Sequence, residues 1–406
     1  MRLLHVSDWH LGTTLGRVTR TADHARVLDE IAGIVREFRP HLLVHSGDLF
    51  DATRPPVDAM QLAADTLGRL SAVAPTVVVA GNHDSKALFR VLDAFQDASA
   101  APRRLWFVTE PGVLAFPGDD GESLRLACMP FLHPNALVDL LADDPAAWTG
   151  AYADGVRVLN RQLQARLEDG YRGDRDVLLY AAHLHVHDAK LGGTERTVHV
   201  SEDYATRIEA VPPVTYAAFG HIHRPQPLPG GSVTGRYAGS PIPIDFGEHG
   251  EDKSVVTVEA RPGGSARAEA VAVSGGRRLV RFEGSLEAFR AAAARVGDGI
   301  LKAVVTTDLP DPELADKVAD LCPDAAIFEV ANRVASTPDR PLREDAGGDA
   351  EPDVRALFRE YAAAQNLRHT SAERVVELFD AALEGVDTEQ PADFGLARLL
   401  RDSEQP

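Results

Sequence analysis

Five short polar motifs, each set directly after a short apolar run, constrain this chain more than any other feature. Ser7-Asp8-Trp9-His10 follows Leu3-Leu4-His5-Val6, and Ser46-Gly47-Asp48 follows Leu42-Leu43-Val44. Gly81-Asn82-His83-Asp84 follows Val77-Val78-Val79. Further on, His183 ends an apolar run over residues 176–182, and Gly220-His221-Ile222-His223 ends one over 216–219. Such short apolar runs read as strands. Helical stripes separate the first three: one from about Ala22 to Phe38, stopped by Pro40, and one through Leu62, Leu67 and Leu70. Strand, helix and strand at roughly 30-residue spacing is the βαβ pattern of a mainly parallel α/β sheet with helices on its faces. Loops at the carboxyl ends of such strands converge, so groups as distant as Asp8 and His223 can share one cleft.

The residue types gathered this way are carboxylate, imidazole and amide oxygen, with no thiolate. That donor set suits hard-to-borderline divalent metals. Asp48, central in the inferred strand order, has two oxygens and is the natural bridge between two ions. Two close metals lower the pKa of a bound water and clamp phosphoryl oxygens as charge develops. Gly47, Gly81 and Gly220 let the backbone turn sharply beside them. Taken singly, most of these pieces are weak: Asp-x-His pairs occur by chance, and a lone His183 is more often a structural histidine than a ligand. Five in this order, each after a strand, are hard to explain as accident.

A length of 406 residues suggests two or three domains. Strands are also expected over 124–129 and 255–258, and Pro262-Gly263-Gly264 is a turn signal near the end of a first domain spanning 1–275. A smaller α+β module is expected over 276–335, with strands at 279–282 and 301–306 and helices at 286–296 and 312–321. Residues 336–352 read as a linker rich in Pro, Gly, Asp and Arg. Two amphipathic helices are expected within 353–388: Val354, Leu357, Phe358 and Tyr361 form one stripe and Val375, Leu378, Phe379 and Ala382 the other. Thr370 and Glu373 form a capping box before the second. Pattern alone leaves open whether these helices fold back on the second module or dock on a partner. A tail follows over 389–406.

The formal charge of −19 argues against a broad nucleic-acid grip by this chain itself, because phosphate binding needs cations. It does not exclude a nucleic-acid substrate, since bound metals invert the sign locally and a partner can supply a basic surface. Cys128 and Cys322 lie far apart in no ligand spacing. No signal peptide or membrane-spanning run is evident, so the expected location is the cytoplasm, with no membrane partner.

The five motifs together resemble the calcineurin-like metallophosphoesterase signature. The flanking residues are HVSDWHLG (5–12), SGDLFD (46–51), GNHDS (81–85), GHIHRPQ (220–226) and YAGSPIPIDFGE (237–248). They resemble the branch that holds the nuclease subunits of SbcCD-type complexes and their archaeal and eukaryotic double-strand-break repair counterparts. That resemblance implies a metallophosphoesterase β-sandwich flanked by helices, a smaller α+β capping domain and a C-terminal helical tail. It implies two Mn2+ ions, with Mg2+ or another divalent metal as the alternative. Asp8, His10, Asp48 and His223 would hold one ion; Asp48, Asn82, His183 and His221 would hold the other. His83 would assist the leaving oxygen, Asp84 would orient His83, and a metal-activated hydroxide would attack the phosphodiester.

The same resemblance implies DNA as substrate and exonuclease and hairpin or single-strand endonuclease activity in repair, recombination and replication. It further implies docking of the tail helices on an SMC-like ATPase of the SbcC type, a homodimer within a heterotetramer, and a place at the nucleoid. Thr194-Glu195-Arg196 departs from the Ser-Glu-Arg often found at that loop. His185 and His187 are read as non-ligands. The competing readings are a phosphodiesterase for small nucleotides, which needs no long helical tail, and a non-catalytic scaffold, which needs no intact ligand set.

Overall fold

The apolar runs become the centres of two six-stranded sheets in the computed structural model. It describes residues 1–133, 137, 152–191, 205–335, 354–364, 375–381 and 383. The first sheet runs, edge to edge, Arg267–Ala272, Ser254–Glu259, Arg2–Val6, Leu42–His45, Thr76–Val79 and Leu105–Val108. The four from Arg2–Val6 onward are parallel, and the two from later in the chain join antiparallel. The second sheet runs Gln226–Pro227, Gly235–Tyr237, Tyr216–Gly220, Asp176–His183, Ser123–Met129 and Gly112–Pro117. Its four inner strands are parallel and its two edges antiparallel.

The βαβ pattern alone predicts one such sheet. The second exists because each central strand is apolar on both of its alternating faces. Leu3, Leu42, Val44, Val77 and Val79 face Leu124, Leu126, Cys128, Val177 and Leu179 of the second sheet. Their sequence neighbours Leu4, Val6, Leu43 and Val78 pack under helices α1 (Thr21–Phe38), α2 (Val57–Val73) and α3 (Lys86–Asp97). On the far side, Met129, Leu178, Tyr180 and Phe219 pack under α4 (Tyr152–Glu168) through Val156, Leu159 and Leu163. The result is a helix–sheet–sheet–helix sandwich, as the resemblance implies. Burying one such Leu or Val stabilises the fold by roughly 1.5–3 kcal/mol.

The smaller module is a parallel three-stranded sheet of Leu279–Ser285, Ile300–Thr307 and Ala326–Val334. Its crossovers carry α5 (Leu286–Ala292) and α6 (Leu314–Leu321). Phe289, Leu301, Val305 and Val318 form its core. A second cluster of Leu15, Phe246, Leu279 and Ile300, with Phe328 against it, joins the module to the sandwich.

The chain divides into two compact units, Met1–Ser336 and Thr337–Pro406. Within the second, α7 (Val354–Ala364) and a helical stretch at 375–381 carry the two tail stripes. The Phe358 and Phe379 rings stack at 3.7 Å, and Arg359 pairs with Asp380 at 2.8 Å. Val354, Tyr361, Val375 and Leu378 are exposed. The expected linker at 336–352, the tail at 389–406, the Thr370–Glu373 capping box, Ala382 and the Thr194-Glu195-Arg196 loop lie outside the described residues.

Candidate metal centre

All five motifs sit at one edge, where the carboxyl ends of parallel strands from both sheets meet. Asp8 and His10 follow Arg2–Val6, Asp48 follows Leu42–His45, and Asn82, His83 and Asp84 follow Thr76–Val79. His183 ends one strand of the second sheet, and His221 and His223 follow its neighbour. The loops are stitched by backbone bonds, Asp8 N to Gly47 O at 2.9 Å and His10 N to Asp48 O at 3.1 Å.

Asp8, His10, Asp48 and His221 all adopt positive φ, at 50°, 47°, 54° and 98°. Non-glycine residues rarely do so. Each costs on the order of 1–3 kcal/mol and persists only where its surroundings over-determine it. Here the strain turns side chains inward. Two glycines make the approach possible: a Cβ at Gly47 would overlap the His183 ring, and one at Gly81 would overlap the Asp48 carboxylate and backbone nitrogen.

The buried donors gather around two adjacent positions. His10 Nε2 lies 3.1 Å from His223 Nε2, and ligating atoms of Asp8, His10 and His223 all fall within 4.8 Å of one another. At the other position, Asn82 Oδ1 lies 2.9 Å from His183 Nε2 and 2.8 Å from His221 Nδ1. Asp48 Oδ2 stands between them, 3.5 Å from His10 Nε2 and 3.3 Å from His183 Nε2. The outer ring nitrogens have partners of their own: His183 Nδ1 donates to Ser46 O at 2.9 Å, and His223 Nδ1 lies 3.1 Å from Glu248 Oε1. An outward N–H leaves the inner nitrogen its lone pair, the arrangement of metal-bound histidines. Nitrogen and oxygen lone pairs that converge this closely in a buried site fit divalent cations.

Electrostatics agree. Burial works against a charged imidazole, yet the Asp51 hydrogen bond and the Asp48 and Asp8 charges push His10 up to about 9. Burial likewise opposes charge on His183, and the charge and hydrogen bond of Asp48 push it up to about 9. Burial and the Asp48 charge raise Asp84 to about 7. The pocket thus carries more negative charge than its neutral ligands balance, and it draws in cations of one kind or another.

His83 borders this pocket, with ligating atoms of His10, Asp48 and His83 within 4.8 Å of one another. Its backbone N–H donates to Asp48 Oδ1 at 2.8 Å, and its Nδ1–H donates to Asp51 O at 2.6 Å. Asp84 acts on this segment through the backbone. It accepts from Gly81 N at 2.9 Å, Phe50 N at 3.0 Å and Leu49 N at 3.2 Å, bracing the two turns against each other. His185 lies behind, its ring 6.5 Å from that of His221, and His187 is exposed beside Asp188.

Sequence reasoning passed over two acids. Asp51 reaches His10 Nδ1 at 3.3 Å with its carboxylate and His83 with its carbonyl. Glu248 is fully buried against His223. Both close segments singled out for their resemblance, SGDLFD and YAGSPIPIDFGE. An acid at the end of each was the available signal.

A two-sheet sandwich with N/O donors clustered at its joined strand ends defines a metal-dependent phosphoesterase. The chain belongs to the calcineurin-like phosphoesterase family, whose model matches residues 1–225 and so takes in every motif residue from Asp8 to His223. It is similar to the D subunit of nuclease SbcCD from Bacillus subtilis (strain 168), with 33% identity over 286 residues, 70% of this chain and 72% of that protein. It is 32% identical to the corresponding SbcCD nuclease subunit of Escherichia coli (strain K12), over 63% of this chain and 64% of the other. The corresponding protein of Rhodobacter capsulatus is 27% identical over 66% of this chain and 68% of its own length.

Proposed function

We propose that this chain is the metal-dependent DNA nuclease subunit of an SbcCD-type complex, acting in DNA repair, recombination and replication. It cuts duplex ends as an exonuclease and hairpins or single strands as an endonuclease. The observation that carries the reading is the pair of donor clusters joined by Asp48 Oδ2, 3.5 and 3.3 Å from His10 and His183. Asp8, His10, Asp48 and His223 hold one ion; Asp48, Asn82, His183 and His221 hold the other. Manganese suits this borderline set of imidazole, amide and carboxylate, with magnesium as the alternative. When bound, the ions lower the pKa of a water and offset the charge that develops on the phosphoryl oxygens.

The chain's own residues do the rest. His83, as the imidazolium, would give a proton to the leaving oxygen from Nε2, the end of the ring opposite the Nδ1–H that the Asp51 carbonyl holds at 2.6 Å; it is left as the neutral Nδ1–H tautomer. Asp84 keeps His83 in place by bracing the turn beneath it.

Residues 1–275 form the nuclease domain, and 276–335 act as a cap over the DNA. The helices within 353–388 dock on the SMC-like ATPase SbcC. The exposed apolar residues Val354, Tyr361, Val375 and Leu378 support that assignment. The chain works as a homodimer within a heterotetramer, and the exposed Val57 of α2 and Val91 and Phe95 of α3 support a self-association face. Its place is the cytoplasm, at the nucleoid. With a net charge of −19, partner and dimer supply much of the electrostatic grip.

The test is cleavage of hairpin and linear duplex DNA with Mn2+, with and without the ATPase, against a small phosphodiester. Metal-dependent DNA cutting is expected. Hydrolysis of the small diester with DNA left intact under every condition would refute the DNA reading. Truncation before Pro352 should spare cutting of short substrates and abolish co-purification with the ATPase; retained co-purification contradicts the docking.

A further inference from the structure

Glu248 ends the segment Tyr237–Glu248, and the proposed function gives it no part. It is fully buried. Its Oε2 accepts from Lys253 Nζ at 2.7 Å, Ser240 Oγ at 3.2 Å and Ile244 N at 3.3 Å. Its Oε1 lies 3.1 Å from His223 Nδ1. Lys253, itself buried, also donates to the His223 carbonyl at 3.1 Å, so one ammonium ties the glutamate to the histidine it faces. The carboxylate rides on a short 3-10 turn, Phe246–Glu248. Asp245 caps that turn by accepting from Gly247 N at 2.7 Å, and Phe246 packs on Phe328 at 4.9 Å. Its position is fixed from three sides.

An ionised carboxylate only accepts hydrogen bonds. With Oε2 among donors, Oε1 receives the Nδ1–H of His223. That bond sets the tautomer, leaving the lone pair on Nε2, the atom 3.1 Å from His10 Nε2. At the other position His183 is set independently, since its Nδ1 donates to Ser46 O at 2.9 Å, and His221 faces Asn82 Oδ1 rather than Glu248. We propose that Glu248 is a positioning residue for one metal position only, the one His10 and His223 share, by holding His223 in its ligating tautomer. The inference rests on the dinuclear reading above.

Glu248→Gln is the informative variant because it keeps size and shape. Lys253, Ser240 and Ile244 call for the amide oxygen at the Oε2 side, which turns the NH2 toward His223 Nδ1. The ring must then accept at Nδ1 and carry its proton on Nε2, where a metal would bind. Mn2+ binding by the full chain, followed by the EPR signal of free Mn2+, should show two sites in the wild type. One should weaken by about 10–100-fold in the variant while the other holds. Ring 15N NMR of the metal-free protein should show the His223 proton moved from Nδ1 to Nε2. Melting and gel filtration check the fold. If Glu248→Gln does not fold, Glu248→Asp carries the test: it keeps a charge beside Lys253 and withdraws it from His223, and the same selective loss is expected. Wild-type affinity at both positions, or equal loss at both, overturns the proposal. A wild-type chain that binds no pair of Mn2+ ions overturns the dinuclear reading instead.

Discussion

Adding one methyl group at Gly81 tests how the site is built. A Cβ there would stand 2.8 Å from Asp48 Cγ, and nearer still to Oδ1 and the Asp48 backbone nitrogen. Non-bonded carbons settle at about 3.5–4.0 Å, so the carboxylate has to retreat by roughly 0.7 Å or more. Metal–ligand distances tolerate only about 0.2 Å. Asp48 Oδ2 serves His10 and His183 at 3.5 and 3.3 Å, so its retreat affects both metal positions together. A misplacement on the order of 1 Å costs about 100-fold in rate, equivalent to about 2.7 kcal/mol of transition-state stabilisation. Overpacking adds a loss of about 1–3 kcal/mol in stability.

Mn2+-dependent hydrolysis of a chromogenic phosphodiester, run beside Mn2+ binding, reads the effect of Gly81→Ala. The expected outcome is a fall in kcat/KM of about 100-fold or more, with both binding events weakened. Gly33→Ala within α1 is the control. A Cβ there meets only Arg36 Nη2 at 3.9 Å, and alanine in a helix interior is worth about 0.5–1 kcal/mol over glycine. That variant should melt no lower than wild type and cleave at the same rate. Wild-type turnover and metal binding in Gly81→Ala would sink the claim that close approach at residue 81 sets Asp48.

His83→Ala should retain both metals by elemental analysis and lose about 10²–10⁴-fold in cleavage; full activity would remove His83 from the chemistry. Asp48→Ala should lose both metals, and retention of a complete pair would refute the bridge. Phe95→Glu should shift the chain from dimer to monomer in light scattering, and an unchanged dimer would move the self-association face elsewhere. Burial holds His5 and His45 neutral, lowering each to about 3. Between pH 6.5 and 3 the unfolded chain binds protons that the folded chain refuses, so each costs about 1.4 kcal/mol per unit as pH falls. Stability of metal-free His45→Gln should therefore decline less steeply with acid than that of wild type, and parallel curves would contradict the assignment.

Much of the sandwich was legible because its central strands are short, apolar and followed at once by a polar motif. Leu42-Leu43-Val44 and Val77-Val78-Val79 admit few other readings. The strand over 326–334 escaped notice because it is half-exposed, with no alternation to betray it. The strand over 267–272 also went unremarked, because its alanines alternate with Arg267, Glu269 and Val271 and give no apolar face until the segment is seen pairing with 254–259. The second sheet could not be inferred from the βαβ pattern, since continuous apolar runs say only that both faces are covered, not by what. In the site, the inward-facing residues announced themselves through motif order. Asp51 and Glu248 did not, because a single acid at the end of a segment looks like any solvated carboxylate until its histidine partner is found across the fold.

The acidic character of the chain and its proposed polyanionic substrate are compatible because their electrostatics operate at different ranges. Surface charges are screened beyond about 8–10 Å at ordinary ionic strength, so −19 spread over the whole molecule weakens encounter more than it weakens chemistry. Inside the cleft, Asp8 and Asp48 are buried and stand among His10, His183 and His223. Against the opposing effect of burial, those carboxylates favour protons on the imidazoles they face, pushing His10 and His183 up to about 9. Divalent ions have to displace those protons, so metal loading strengthens as pH rises. The same carboxylates that would by themselves repel a phosphodiester are therefore suited to hold the cations that attract one, and on the proposed reading much of the grip on long DNA falls to partner surfaces.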